Sequence, residues 1–388
     1  PRTASSRPAR PQTQPPALPT TGGTVALTKI EFTAVDGKGG PVELPARFTE
    51  YLACGDGIDL AVRGRSLLLM KEKGRFKRIY HREDRRFNFT GVCFDGRYVW
   101  APAAMGDEPM VVVLDPVSER TWTITAADGL PPMSRGAKAA PLEPGRVCLA
   151  GSLGRGWIAD VRFDEATGQK SVDVFFEARE QNEDHDHQAW RNLHQQFTPT
   201  WAVALHGRDE GGKQARRVLV GRTYHPLLVD PDARRVEVVH DTVSGAYSGD
   251  DLAARDGALY WAMPAIGRDG DHKLWRFGFP ELRRVAVNDN LPMRDGYVAF
   301  EGERVHVVEQ LTWYAAPRLG QPFVQLAGRV PGVGHYRAFA HSSHYGLVML
   351  SQTDREPGVF SVKAEFAPRR AGAGPADAPS ARPTTKGG

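Results

Sequence analysis

A chain that repeats itself at intervals of forty to sixty-three residues has few folds open to it, and this sequence does so. FDGRYVWAPAAMGDEP (94–109) and RDGALYWAMPAIGRDGD (255–271) share Asp-Gly, an aromatic-rich stretch ending in Trp-Ala, and a Pro-containing loop with Gly and Asp. Weaker copies are CGDGIDLAVRG (54–64), LEPGRVCLAG (142–151) and FEGERVHVVEQ (300–310). Apolar strand, turn and second strand is the pattern of a β-hairpin. A second hairpin follows in register: SLLLMKEKGRFKRIY (66–80), VVVLDPVSERTWTIT (111–125), ADVRFDEATGQKSVDVFF (159–176) and LLVDPDARRVEVVH (227–240). Four short strands in a row, about 45 residues in all, make one propeller blade.

Units begin near Thr49, Phe89, Ala137, Thr200, Gly249, Gly296 and Tyr336, which predicts an all-β propeller of seven four-stranded blades over 24–366. Six and eight stay open, because the fourth and sixth repeats are weak. The seventh unit supplies only three strands (YRAFAHS, YGLVMLSQ, GVFSVKAEF). The alternating segment 25–33, VALTKIEFT, has no partner of its own and is assigned as the missing outer strand. Closing the ring in this way removes an open sheet edge. Forty-one Gly and 29 Pro in 388 residues suit such a turn-rich chain.

The ends are of another kind. Residues 1–23 and 367–388 are rich in Pro, Thr, Ser, Gly and Arg, and are expected to be disordered, a linker and a tail. Each carries a net +3, so the body between them is −2 although the whole chain is +4. With no basic excess on the body as a whole, nucleic acid is not the expected partner. No run of about 18 apolar residues marks a membrane span. A Pro-rich start without Met points to sequence upstream. Cys54, Cys93 and Cys148 lie in apolar strand-like runs and read as small buried hydrophobes rather than a disulfide framework or a nucleophile.

Most conspicuous residues have a structural reading. Trp100, Trp122, Trp157, Trp261 and Trp275 sit in strands at repeat-related positions and are expected to fill the space between blades. Asp115 and Asp230 read as turn initiators. The insertion DHDHQAWRNLHQQF (184–197) departs from the repeat, and Trp190, Leu193 and Phe197 at i, i+3, i+7 fit a short amphipathic helix. His187 and His194 share its adjoining face at metal-ligand spacing, but Arg191 between them repels a cation. A solvated or anion-contacting face is the expectation there, and no cofactor is. No nucleophile elbow, phosphate loop, HExxH, EF-hand or sialidase-type box occurs.

FTGVCFDGRYVWAPA, VVVLDPVSERTWTITAADGLP and RVCLAGSLGRGWIADV resemble the two-component-regulator type of propeller repeat. Its blades run through an Asp-Gly-x-x-x-Trp strand pair and end in Asp-Gly-Leu-Pro, here Asp128–Pro131 with an echo at Asp289–Pro292. The resemblance covers 89–176 well and 249–296 in part. It implies a sensor or binding propeller, one domain of a larger bacterial protein, extracytoplasmic, with no catalytic residues.

Two functional classes follow. The first is a non-catalytic, monomeric propeller binding a small anionic or sugar-like ligand or a protein. The alternative is a carbohydrate-active propeller enzyme, a lyase or hydrolase, whose pooled loop His, Arg, Asp and Tyr supply acid and base. In a four-stranded blade, the second-to-third-strand connection and the crossover to the next blade leave on one side, and the two hairpin turns on the other. The longer loops of the first side hold Arg82, Arg135, Arg155, Arg222, Tyr224, His225, Tyr247, His272, Arg294 and His335, the candidate ligand face.

Overall fold

A computed structural model describes residues 22–44, 47–105, 108–133, 137–153, 155–178, 198–221, 226–239, 252–264, 272–288, 291, 296–309, 312–328, 337–351 and 356–367. Seven antiparallel sheets follow one another around a ring. Their innermost strands are Glu50–Ala53, Phe87–Phe89 with Cys93–Phe94, Lys138–Glu143, Trp201–Arg208, Leu252–Arg255, Tyr297–Glu301 and Arg337–Ser342. Each begins within three residues of the repeat boundary read from the sequence, and blades one to seven are numbered in that order.

The ring closes with the N-terminal segment, but over different bounds. Gly23–Lys29 pairs antiparallel with Gly358–Phe366 as the outer strand of blade seven. Ile30, whose N–H still donates to Val359 O at 2.9 Å, and then Phe32 pack into the core between blades seven and one, where Phe32 meets Phe48, Phe76 and Tyr345. Thr33–Val35 joins blade one instead, parallel to the start of its Arg75–His81 strand. Alternation in 25–33 therefore has two causes, strand pairing and interblade packing. Blade six is engaged too: Val25 N–H donates to Ala327 O at 2.9 Å, and Ala327 N–H to Gly23 O at 2.9 Å. One short segment thus ties three blades together.

Among the described residues there are seven apolar clusters, one at each joint between neighbouring blades. Trp100 and Trp157 share the cluster between blades two and three, and Trp261 and Trp275 share that between four and five. All four are buried; Trp122 is half-buried against Phe163. The tryptophans are packing residues, as expected. Cys54 and Cys148 are buried and Cys93 is half-buried. Burial, with Asp59 adding to it, pushes the Cys54 thiol up to about 12, leaving it protonated and unreactive at neutral pH. Asp115 and Asp230 start their turns as expected, accepting from Val117 N–H at 2.8 Å and Ala233 N–H at 3.0 Å. In the Asp-Gly-Leu-Pro motif, Asp128 caps a 3₁₀ turn through Thr125 N–H at 2.9 Å, Gly129 turns at φ 91°, and Leu130 is buried. Of the echo at 289–292 only Leu291, also buried, is among the described residues. The insertion 184–197, with His187 and His194, lies outside them.

Candidate functional site

The two ends of the ring differ in what their side chains do. On the hairpin-turn side, polar groups of one blade bond to the next. Asp59 of blade one is wholly buried. It accepts from Tyr51 Oη at 2.7 Å, and from Ser342 Oγ at 2.5 Å and Ser343 N–H at 2.6 Å of blade seven. Burial and the adjacent Asp59 push the Tyr51 phenol well above its ordinary range, so it stays a donor. Asp95, in the Asp-Gly turn of blade two, accepts from Trp100 Nε1 at 2.7 Å and from Gly145 N–H of blade three at 2.8 Å.

Salt bridges complete the circle. Lys71 reaches Glu119 at 3.0 Å, Arg97 reaches Glu165 at 2.9 Å, Arg146 reaches Asp232 at 2.9 Å, and Arg255 reaches Glu303 at 2.8 Å. His206 N–H donates to Gly257 O at 3.1 Å between blades four and five, and Arg304 to Ala364 O at 3.0 Å between six and seven. Every joint carries at least one such bond on this side.

The other side is where the crossovers arrive. Glu50 and Lys138 each open an innermost strand, which places them at the channel mouth on this side. Lys138 Nζ of blade three donates to Thr90 O of blade two at 2.6 Å and lies 3.7 Å from Glu50 of blade one. The inner strand of blade two is interrupted at Thr90–Val92, and a Cβ on Gly91 would stand 3.2 Å from Lys138 Cδ. Glycine leaves room for the lysine to cross a whole blade. A cation and a carboxylate are thereby presented together at the mouth.

Beside them, blade one gathers further cations. His81 Nδ1 lies 2.8 Å from Ser66 Oγ across the Ser66–Glu72 and Arg75–His81 hairpin. Arg65 donates to the Glu83 carbonyl. Arg82 Nε donates to Tyr80 Oη at 3.2 Å, and its guanidinium lies 5.7 Å from the Phe87 ring centroid. Burial, and then the cations Arg78 and Arg65, hold His81 below the usual imidazole range against the opposing pull of Glu83.

Of the ten residues of the candidate face, Arg82 is described with its contacts, half-buried in its own packing. Arg155 and His272 open the strands Arg155–Asp164 and His272–Gly278, each at its loop-side end. Arg135, Arg222, Tyr224, His225, Tyr247, Arg294 and His335 lie outside the described residues. Sequence reasoning missed Glu50, Lys138, Arg65 and His81. The only available signal for the first pair was their shared position at the head of an inner strand.

No family model matches the chain, and no curated protein matches it in sequence. The fold is shared with an extracellular domain described as that of a hybrid two-component system from B. thetaiotaomicron. TM-score is 0.52 at 10% identity, over 86% of this chain and 39% of that one. An extracellular domain described as that of a one-component system from the same organism gives TM-score 0.52 at 9% identity, over 87% and 40%. The Neurospora crassa Pan2 WD40 domain gives TM-score 0.50 at 10% identity, over 88% and 94%. At such identities the likeness is one of fold, and it agrees with the two-component-regulator-type propeller read from the repeats. The chain spans about two fifths of the first two domains. Among the described residues, no helix is long and apolar enough to cross a membrane.

Proposed function

We propose that this propeller is a non-catalytic binding module of a larger bacterial protein, working outside the cytoplasm and taking an anionic or sugar-like ligand on its loop side. One observation carries the reading: on the turn side polar groups cross every joint between blades, whereas the other side presents Lys138 and Glu50 at the mouth and, on the outer strands of blade one, cations without a carboxylate partner among the described residues. A rigid ring with variable connections on one side is how binding surfaces are commonly built. Arg222, Tyr224 and His225 fall in the second-to-third-strand connection of blade four and are proposed as its ligand contacts, with Arg135, Arg155, Tyr247, His272, Arg294 and His335 around them. The likeness in fold to those extracellular domains supports the compartment.

The test is retention of the full chain on an array of acidic oligosaccharides, repeated with Arg222→Ala, Tyr224→Ala and His225→Ala combined. Retention is expected to be lost with the melting temperature unchanged. Retention that survives this triple change and is destroyed by Arg234→Ala, on an exposed turn of the opposite side, overturns the choice of face.

A further inference from the structure

A body of net charge −2 hides a strong separation of charge. Between Arg63 and Arg86 there are ten Lys and Arg against three Asp and Glu, a net of +7, and the remainder of 24–366 is therefore −9. This segment is the outer half of blade one with its crossover. At its turn-side end the excess is partly offset: Lys71 and Lys77 share Glu119, Arg75 pairs with Glu72, and Lys73 lies 4.8 Å from the Tyr345 ring centroid. At its loop-side end it is not. Arg65 bonds a carbonyl and Arg82 a phenol. Among the described residues no carboxylate stands within 4.0 Å of Arg65, Arg78, Arg82 or Arg85, and Arg85 is exposed. His81 stands in the middle, and Glu83, which approaches its Nε2 at 3.7 Å, is almost wholly exposed.

From this arrangement we infer that the loop-side corner of blade one, formed by Arg65, Arg78, His81 and Arg85, recognises a compact oxyanion, a sulfate or phosphate monoester carried on the ligand. Guanidinium groups offer paired N–H donors matched to such oxygens. A long polyanion fits less well, because beyond the outer half of blade one it would meet a remainder of net −9, whereas a single oxyanion stays within the basic field. His81 is crowded by the cations Arg78 and Arg65, and Glu83 of the crossover approaches it as the one opposing charge among the described residues. An incoming oxyanion offsets that crowding and favours a second proton on the ring, so binding of sulfate and its monoesters, whose charge does not change in this range, strengthens as pH falls. The inference rests on the loop side being the ligand side, and names the charge that side takes.

The experiment follows the His81 ring by NMR in the full chain, at constant ionic strength set with chloride. Inorganic sulfate, glucose 6-sulfate, glucose 6-phosphate and a duplex DNA are titrated separately. A saturable shift with sulfate and the monoesters is expected, lost or weakened about tenfold or more in Arg65→Gln/Arg78→Gln. The preferred monoester tells sulfate from phosphate. A response no different from chloride overturns the inference, as does a response to DNA alone. Should the double variant fail to fold, Arg85→Gln replaces it, and unchanged sulfate affinity there counts against the site. Sulfate binding at His81 in a chain indifferent to the 222–225 triple change would break the earlier reading and leave this one standing.

Discussion

The turn side and the loop side of this ring are made by the same strands and have opposite characters. On the turn side, connections run from two to seven residues, and every joint is crossed by a polar bond between blades. On the loop side they run from one residue to the twenty-three between Glu177 and Trp201. The difference teaches where the ring is held. Apolar clusters between blades are present all round, but burial is non-directional and does not fix one blade against the next. Asp59, Asp95, Arg146 and Arg255 supply that direction from the turn side, so the connections opposite are free to differ in length and charge.

The sharpest way to break the comparison is to remove the segment that joins blades six, seven and one. Deleting residues 1–35 takes away the Gly23–Lys29 strand, the Thr33–Val35 pairing and the bonds to Ala327. It bares the edge of Gly358–Phe366 and is expected to abolish cooperative unfolding and leave aggregated protein. Deleting 1–21 is expected to leave the thermal midpoint unchanged, because the strand pairing begins at Gly22 and Gly23. Circular dichroism melts of the two truncations decide it. If both melt like the full chain, the ring does not depend on its closure.

Next in size is Asp59→Ala. It leaves the Tyr51 and Ser342 hydroxyls and the Ser343 N–H in a buried joint without their acceptor. A loss of about 2–4 kcal/mol is expected, two or three buried donors at about 1–3 kcal/mol each with partial relaxation. Denaturant unfolding measures it. A loss below about 0.5 kcal/mol would show that the apolar core alone aligns blades seven and one.

What the sequence disclosed, and what it withheld, follows the same division. Blade boundaries were legible because each hairpin is local, and its Asp-Gly or Lys-Gly turn stands between two apolar runs. Even the pairing of Ser66 with His81 can be counted from the Lys73-Gly74 turn, since the two irregularities in that hairpin cancel by its end. The partner of Asp95 was not legible. Its carboxylate reads as a turn former, and only ring geometry brings Gly145 to it from fifty residues away. Nor was the Glu50–Lys138 pair, whose members stand two blades apart. The body's net charge misled as well: a sum near zero gave no sign that 63–86 is strongly basic, because the compensating acids are spread over the other blades. Long-range polar contacts depend on how blades are stacked, and a repeat pattern specifies the blades far better than their mutual register.

The smallest effect is the one that sharpens the comparison most. Arg85 is exposed in the crossover from blade one to blade two and, among the described residues, has no carboxylate within 4.0 Å. Arg146, its turn-side counterpart, bridges Asp160 at 2.9 Å and Asp232 at 2.9 Å and is nearly buried. Removing the buried member of such a network leaves Asp160 with the more exposed Arg162 alone and is expected to cost about 3 kcal/mol. Arg85→Ala removes a solvated charge from a like-charged neighbourhood, so its cost is expected to lie within about 0.5 kcal/mol and to fall toward zero or become a small gain as salt is lowered. The salt dependence separates the two roles: a structural arginine loses stability on truncation at every ionic strength, whereas an unneutralised one relieves repulsion. Should Arg85→Ala destabilise by more than about 1 kcal/mol in chemical denaturation at low salt, the loop side is as structural as the turn side, and the contrast between the two ends fails where it matters most for binding.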